Sequence, residues 1–403
     1  MTEFMKKYKL KITVLSPVHI GAATDLEPTE YVIYSEKGEA ELSQKQADSA
    51  VICPECGYKN PTNAELCGNC GTELSRQATP VRQTTAQAAA DSYLYTFTPG
   101  QLSTALSEQP QYKNAFRNLV RREDRNALRE LLDFFRKNAA PIAACATKRA
   151  KVRTGFVQEY NKILEPNGRY WDLWKLTVEA LISDPVTGYP YIPGTEIKGA
   201  IRTALMSAKN RASKLNRQDY INNKNNNAEG RLYNYRNVDS DPFKALKLCD
   251  ATADEKTISA EIAALERKVP ERTIIGYVEV ISENSSFVSS LSLWQGTSFD
   301  ETIDTIQCAC NKFYLDILKE ENKRKWDGRS DSFVNTVENK AKAKNAFILN
   351  LGKHGGAESK TIDGLRIIKN IPSKQTSDTY CKIVDGNEIK SFGWCVVEFE
   401  EEK

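Results

Sequence analysis

Histidine is almost missing from this chain: 403 residues contain two, His19 and His354. That scarcity weakens any mechanism built on an imidazole base. Long apolar runs are missing as well. None approaches the roughly 20 residues that cross a bilayer, and the opening MTEFMKKYKLKITVL lacks the apolar core of a secretory leader. The expectation is a cytoplasmic protein with no membrane partner. A strong net charge is the third absence. At +3, composition alone does not announce nucleic acid. Nor is there a disulfide scaffold, which would be short and secreted. Of ten cysteines, Cys145, Cys249, Cys308, Cys310, Cys381 and Cys395 are scattered and read as reduced thiols.

What is present is 40% hydrophobic sequence, enough for one large or two ordinary domains. Basic residues outnumber acidic ones from Lys113 to Arg153 and again from Lys198 to Arg236, whereas the tail FEEEK is acidic. KYKLKITVL alternates Leu10, Ile12 and Val14, the period of a half-buried strand, and EYVIYSE predicts a second strand. RNALRELLDFFRKN places Leu128, Leu131, Leu132 and Phe135 on one helical face. LWKLTVEALISD predicts a strand, TIIGYVEVI and SSLSLWQ an antiparallel pair, and residues 210–238 a long polar loop. A long amphipathic helix follows in FDETIDTIQCACNKFYLDILKEENK, then strands in NAFILNLG and CVVEFEE. Without regular βαβ alternation, the order points to an α+β fold with antiparallel sheets.

The other four cysteines, Cys53, Cys56, Cys67 and Cys70, stand in CPECGYKNPTNAELCGNCG as two Cys-x-x-Cys-Gly knuckles. Each knuckle brings two thiolates to one ion while its glycine permits the turn. Four thiolates make a closed tetrahedral site, so the spacing predicts a structural Zn²⁺ ribbon with no catalytic position. The polar stretch SRQATPVRQTTAQAAAD behind it reads as a linker. The expected organisation is a first core piece at 1–48, the ribbon insertion at 49–75, and a linker and return strand at 76–98. A basic helical segment at 99–150 and the rest of the core at 151–403 complete it.

The stretch YIPGTEIKGAIRTAL reads as a helix start with Thr195 as N-cap. Lys198 in its first turn opposes the helix dipole by about 0.3–1 kcal/mol, and Gly199 costs about 1 kcal/mol against alanine. An anion bound at the helix start, with Arg202 one turn on, would explain both. A solvated face is the plain alternative. In FILNLGKHGGAESKTI an apolar strand ends at Gly352, Lys353, His354, Gly355 and Gly356, with Lys360 beyond, a turn able to present backbone amides to phosphate. The order of a nucleotide P-loop is absent.

SPVHIGA, PGTEIKGAIRTAL, LGKHGG and FGWCVVEF together resemble the RAMP superfamily of CRISPR proteins, most closely the head subunit of type III-A (Csm) effector complexes. The resemblance covers positions 10–35 and 170–403, and the ribbon departs from the family's minimal pattern. It implies RRM-like, ferredoxin-type domains in a non-catalytic subunit that caps the complex near the 3′ end of the CRISPR RNA. It implies RNA contacts at Lys198, Gly199, Arg202, Gly352, Lys353, Gly355 and Gly356. The implied partners are CRISPR RNA and other subunits of the complex, with a trimming nuclease as a further candidate. Tyr233 and Tyr235, interleaved with Arg231 and Arg236, are candidates to stack on bases.

Two rival classes stay open on the residues alone. A metal-dependent or acid–base ribonuclease would use Asp25 in GAATDLEPTEY with His19 as base. A DNA-binding regulator would use the ribbon, but its nineteen residues carry Lys59 as their one basic residue beside two glutamates.

Overall fold

The computed structural model describes residues 4–35, 51–52, 55, 59–60, 70, 92–107, 110–124, 126–146, 148–165, 168–215, 228–253, 258–269, 272–295, 297–323, 331–365, 382–385 and 388–402. The alternation near the start of the chain becomes the strand Met5–Val14, which buries Tyr8, Leu10, Ile12 and Val14. This strand is central to a six-stranded antiparallel sheet. It pairs on one side with Trp394–Glu401, which carries Ala346–Asn350 at its far edge. On the other side it pairs with Ser286–Trp294, flanked by the short strands Leu246–Leu248 and Thr252–Ala253. The helices Gly194–Ser213 and Ile303–Lys323 pack on this sheet through Ile197, Ile201, Ile306 and Phe313. In chain order these elements run βαββαβ, and the strands stand fourth, first, third, second: a ferredoxin-like unit widened by Ala346–Asn350.

The second sheet has eight strands. Its path runs Tyr31–Tyr34, Ser92–Thr96, Lys148–Val152, Ala260–Val269, Lys382–Asp385, Glu388–Ser391, with Arg272–Ile281 beside Ala260–Val269 and Val178–Glu179 beside Arg272–Ile281. Leu94, Leu132, Phe135, Ile142, Phe156 and Tyr160 build a second core between this sheet and the helices of 99–164. The α+β expectation with antiparallel sheets holds for most pairings; two in this sheet are parallel, Glu261 opposite Lys151 and Tyr277 opposite Val178.

Other expectations need correction. TIIGYVEVI and SSLSLWQ do not pair with each other. Arg272–Ile281 pairs with Ala260–Val269 in the second sheet, and Ser286–Trp294 with the N-terminal strand in the first. The short connection between them passes the chain from one sheet to the other, with Asn284 at φ +65°. LWKLTVEALISD begins in the 3-10 helix Tyr170–Leu176; its extended part is the two-residue strand Val178–Glu179 with isolated bridges at Leu181 and Ser183. Of the face expected in the helix Ala127–Lys137, Leu132 and Phe135 are buried, together with Ala127, while Leu128 is 44% exposed. The polar 210–238 stretch includes the end of one helix and the short helix Ala228–Leu232, while 216–227 lie outside the described residues.

The insertion has a defined root. Tyr31–Tyr34 and Ser92–Thr96 pair with Tyr34 opposite Tyr93, so the chain leaves and rejoins the sheet at one point. Within the insertion Val51–Ile52 pairs with Lys59–Asn60, bracketing the first cysteine knuckle. Cys53, Cys56 and Cys67 lie outside the described residues, and Cys70 is exposed.

Candidate functional site

The four motifs read from the sequence meet at the junction of the two sheets. In SPVHIGA, Val18 exchanges main-chain hydrogen bonds with Ile281, and Ile20 accepts one from Ile182. The carbonyl of Pro17 accepts from the amide of Gly393, and that of His19 from the amide of Lys353. The Trp394 amide donates to Ser16 Oγ at 3.0 Å. Glu196, in the first turn of the long helix, accepts from the Gly352 amide at 3.3 Å.

The helix start answers its own charges. Pro193, not Thr195, is the N-cap, and the Gly194 amide donates to Asp250 Oδ1 at 2.7 Å. A carboxylate of this chain thus occupies the anion position at the helix N-terminus. Lys198 Nζ donates to the carbonyls of Phe243 and Leu246, each at 2.8 Å, and burial lowers its pKa. Arg202 pairs with Asp241 and Glu229, donates to Tyr235 Oη, and lies 4.5 Å from the Phe243 ring centroid. Lys198 and Arg202, expected at an external phosphate, both meet acceptors of the same chain. Gly199 is exposed, and a Cβ there would meet nothing within 4 Å.

The glycine turn is likewise engaged within the chain. Gly352 has φ +74°, and a Cβ there would lie 2.1 Å from the His19 carbonyl oxygen. At Gly355 a Cβ would lie 2.1 Å from Asn350 Oδ1. Gly356, at φ +88°, caps the 3-10 helix Ala357–Lys360, and Lys360 Nζ donates to the Asn350 carbonyl at 2.7 Å. The amides of 352 and 353 are bonded to Glu196 and His19, and Gly352 and Gly355 permit close packing. The Lys353 side chain, 61% exposed, is the group of this turn that reaches outward.

Tyr233 and Tyr235 are also engaged within the fold. The first donates to Glu301 at 2.9 Å and packs edge-on against Phe243; the second bonds Glu229 and Arg202. Arg231 and Arg236 are exposed.

The structure does bring together the chain's two histidines. His19 and His354 stack with ring centroids 5.5 Å apart, and Glu179 reaches both: 3.5 Å from His19 Nε2 and 3.1 Å from His354 Nε2. The His19 side chain is fully buried. Its Nδ1 is 2.7 Å from the carbonyl oxygen of Glu279, an acceptor only, so Nδ1 carries the proton. Burial lowers the His19 pKa to about 4, while the hydrogen bond from His354 and the nearby cations hold Glu179 down at about 2. Asp25 is exposed and lies outside this group.

Sequence reasoning missed an aromatic and basic sheet face. Tyr93 stands opposite Lys151 and Tyr95 opposite Arg149, while the alternate residues Leu94, Ala150 and Val152 turn inward. The Arg149 guanidinium lies 5.0 Å from the Tyr93 ring centroid. With Lys148 and Tyr189 these residues line a groove of about 430 Å³. The signal was available in SYLYT and KRAKV, two short alternating runs. Neither run says that it pairs with the other.

A ferredoxin-like unit, a second sheet with an aromatic and basic face, and a glycine turn locked against the segment that follows the first strand define the class: a mixed α+β protein with largely antiparallel sheets. The sequence profile of the RAMP superfamily matches residues 11–321, and the chain belongs to that superfamily. Two solved structures share its fold. A chain of a Csm–crRNA–target RNA ternary complex of a type III-A CRISPR-Cas system, solved by cryo-electron microscopy, superposes with a TM-score of 0.56 at 15% identity. The match covers 97% of this chain and 100% of that one. The crystal structure of T. onnurineus Csm5 gives 0.55 at 16% identity, covering 96% and 99%. No curated protein sequence matches.

Proposed function

We propose that this chain is the non-catalytic head subunit of a type III-A Csm ribonucleoprotein. In this reading it caps the complex near the 3′ end of the CRISPR RNA and supports guide maturation and antiviral defence in the cytoplasm. The superfamily and the near-complete coverage of Csm-type structures support the setting. The observation that carries RNA contact is the groove face of Tyr93, Tyr95, Arg149, Lys151 and Tyr189, Lys148 being held by Glu279. Cations there meet phosphates and rings meet bases, neither demanding a particular sequence, as suits a protein that must hold any guide. The partners are CRISPR RNA, neighbouring subunits and a trimming nuclease. The ribbon would hold zinc through Cys53, Cys56, Cys67 and Cys70. The donor set suits that ion, and the paired strands around the first knuckle fit it.

Filter binding at several salt concentrations tests the RNA face. Arg149→Ala with Lys151→Ala should weaken binding alike for unrelated single strands and flatten the slope of log K against log salt by about 0.7 per lost contact. Tyr93→Ala should lose about 1–3 kcal/mol of binding. Unchanged affinity and slope in folded variants would move RNA off this face. Incubation with unstructured RNA and Mg²⁺ or Mn²⁺ should leave the RNA intact; cleavage abolished by Asp25→Ala would favour the ribonuclease.

A further inference from the structure

We infer that His19, Glu179 and His354 form a binding site for a divalent transition-metal ion of the zinc class, separate from the four-cysteine insertion. The three side chains come from the first sheet's leading motif, a two-residue strand of the second sheet and the glycine turn, and their ligand atoms all lie within 4.8 Å of one another. Ligands about 2.0–2.1 Å from one ion stand roughly 3–3.5 Å apart at tetrahedral or octahedral angles. The observed separations from Glu179 Oε2, 3.5 Å to His19 Nε2 and 3.1 Å to His354 Nε2, fit that requirement.

An independent observation comes from His19. Its Nε2 is buried and has no hydrogen-bond partner. Because the Glu279 carbonyl fixes the proton on Nδ1, Nε2 presents a lone pair toward a carboxylate, and two acceptors face each other with no proton between them. A buried acceptor left in this state is destabilising, and a cation between the two would relieve it. The Nδ1–carbonyl bond is also the outer contact that orients a metal-binding imidazole. Two imidazoles and one carboxylate suit zinc, nickel, iron or manganese rather than calcium or magnesium. Glu179 is 34% and His354 15% exposed, so the ion would keep a solvent-facing position for water or a phosphate oxygen. Lys353 Nζ, 3.4 Å from Glu179, holds part of that space as a monovalent competitor.

Metal content of the full chain, loaded with Zn²⁺ or Co²⁺ and desalted, tests this directly. Wild type should retain one equivalent more than Glu179→Gln or His354→Ala, whatever the ribbon holds. In the Co²⁺ form the thiolate charge-transfer bands of the ribbon should persist in both variants, while the weaker visible bands of a nitrogen and oxygen site disappear. Lys353→Ala should tighten binding several-fold by removing a like charge. Circular dichroism checks folding, and both substitutions are at partly exposed positions, so one folded variant suffices. Equal metal content in wild type and a folded variant would overturn the site. Loss of the thiolate bands alone in Cys67→Ser with Cys70→Ser would leave it standing.

Discussion

Glycine meets opposite demands at 199 and 352, and the difference lies in what surrounds each backbone. Gly352 sits at φ +74° against the His19 carbonyl, so Gly352→Ala adds left-handed strain to a steric overlap. It should lose at least about 1–3 kcal/mol in denaturant unfolding. Gly199 lies exposed in a helix interior with open space around it, and Gly199→Ala should gain up to about 1 kcal/mol. If that stabilised variant fails to assemble with its partners, another molecule's backbone approaches there. Lys198 belongs to the same scale. Its ammonium bonds two carbonyls at the end of the 242–245 turn, so Lys198→Ala should destabilise by about 1–3 kcal/mol. The RNA affinity and salt slope of the folded variant should not change. A flattened slope with intact stability would restore the phosphate contact.

The cysteine insertion is a matter of elements. Its two stems pair at Tyr34 and Tyr93, so whatever happens beyond them need not disturb the sheet. Cys67→Ser with Cys70→Ser should remove one thiolate-bound zinc, read by metal analysis, and leave the main thermal transition within a few degrees of wild type. Collapse of the whole protein would make the ribbon part of the core. Elements with a strong period were legible: Met5–Val14 alternates in sequence and in burial, and Ile303–Lys323 keeps its helical stripe. Pairing partners were not. TIIGYVEVI and SSLSLWQ are adjacent and both extended, which suggests a hairpin. Ile281 instead bonds Val18 and the following strand joins Met5–Val14, because the chain crosses between two cores there.

Across the whole molecule, the segment 16–22 holds both sheets through main-chain bonds to residues 281, 180, 182, 353 and 393. That stitching should make the sheets unfold together. Fluorescence, to which buried Trp394 and partly exposed Trp294 in the first sheet and the exposed Trp171 and Trp174 beside the second contribute, should report one transition coincident with far-ultraviolet circular dichroism. Two resolved transitions would make the sheets independent units.

The sequence by itself determined the α+β class, the long strands and helices, and the motifs that belong to the superfamily, because period and turn chemistry are local properties. It also named the two histidines and the charged helix start, but not their partners. Only the tertiary structure decided that Lys198 and Arg202 face inward to acceptors of the same chain, that tyrosines and cations of two short strands share one face, and that residues 19, 179 and 354 converge. Those outcomes depend on which distant segments lie opposite one another. Pairing of that kind is set by the packing of two cores around a common junction, and no local pattern records it.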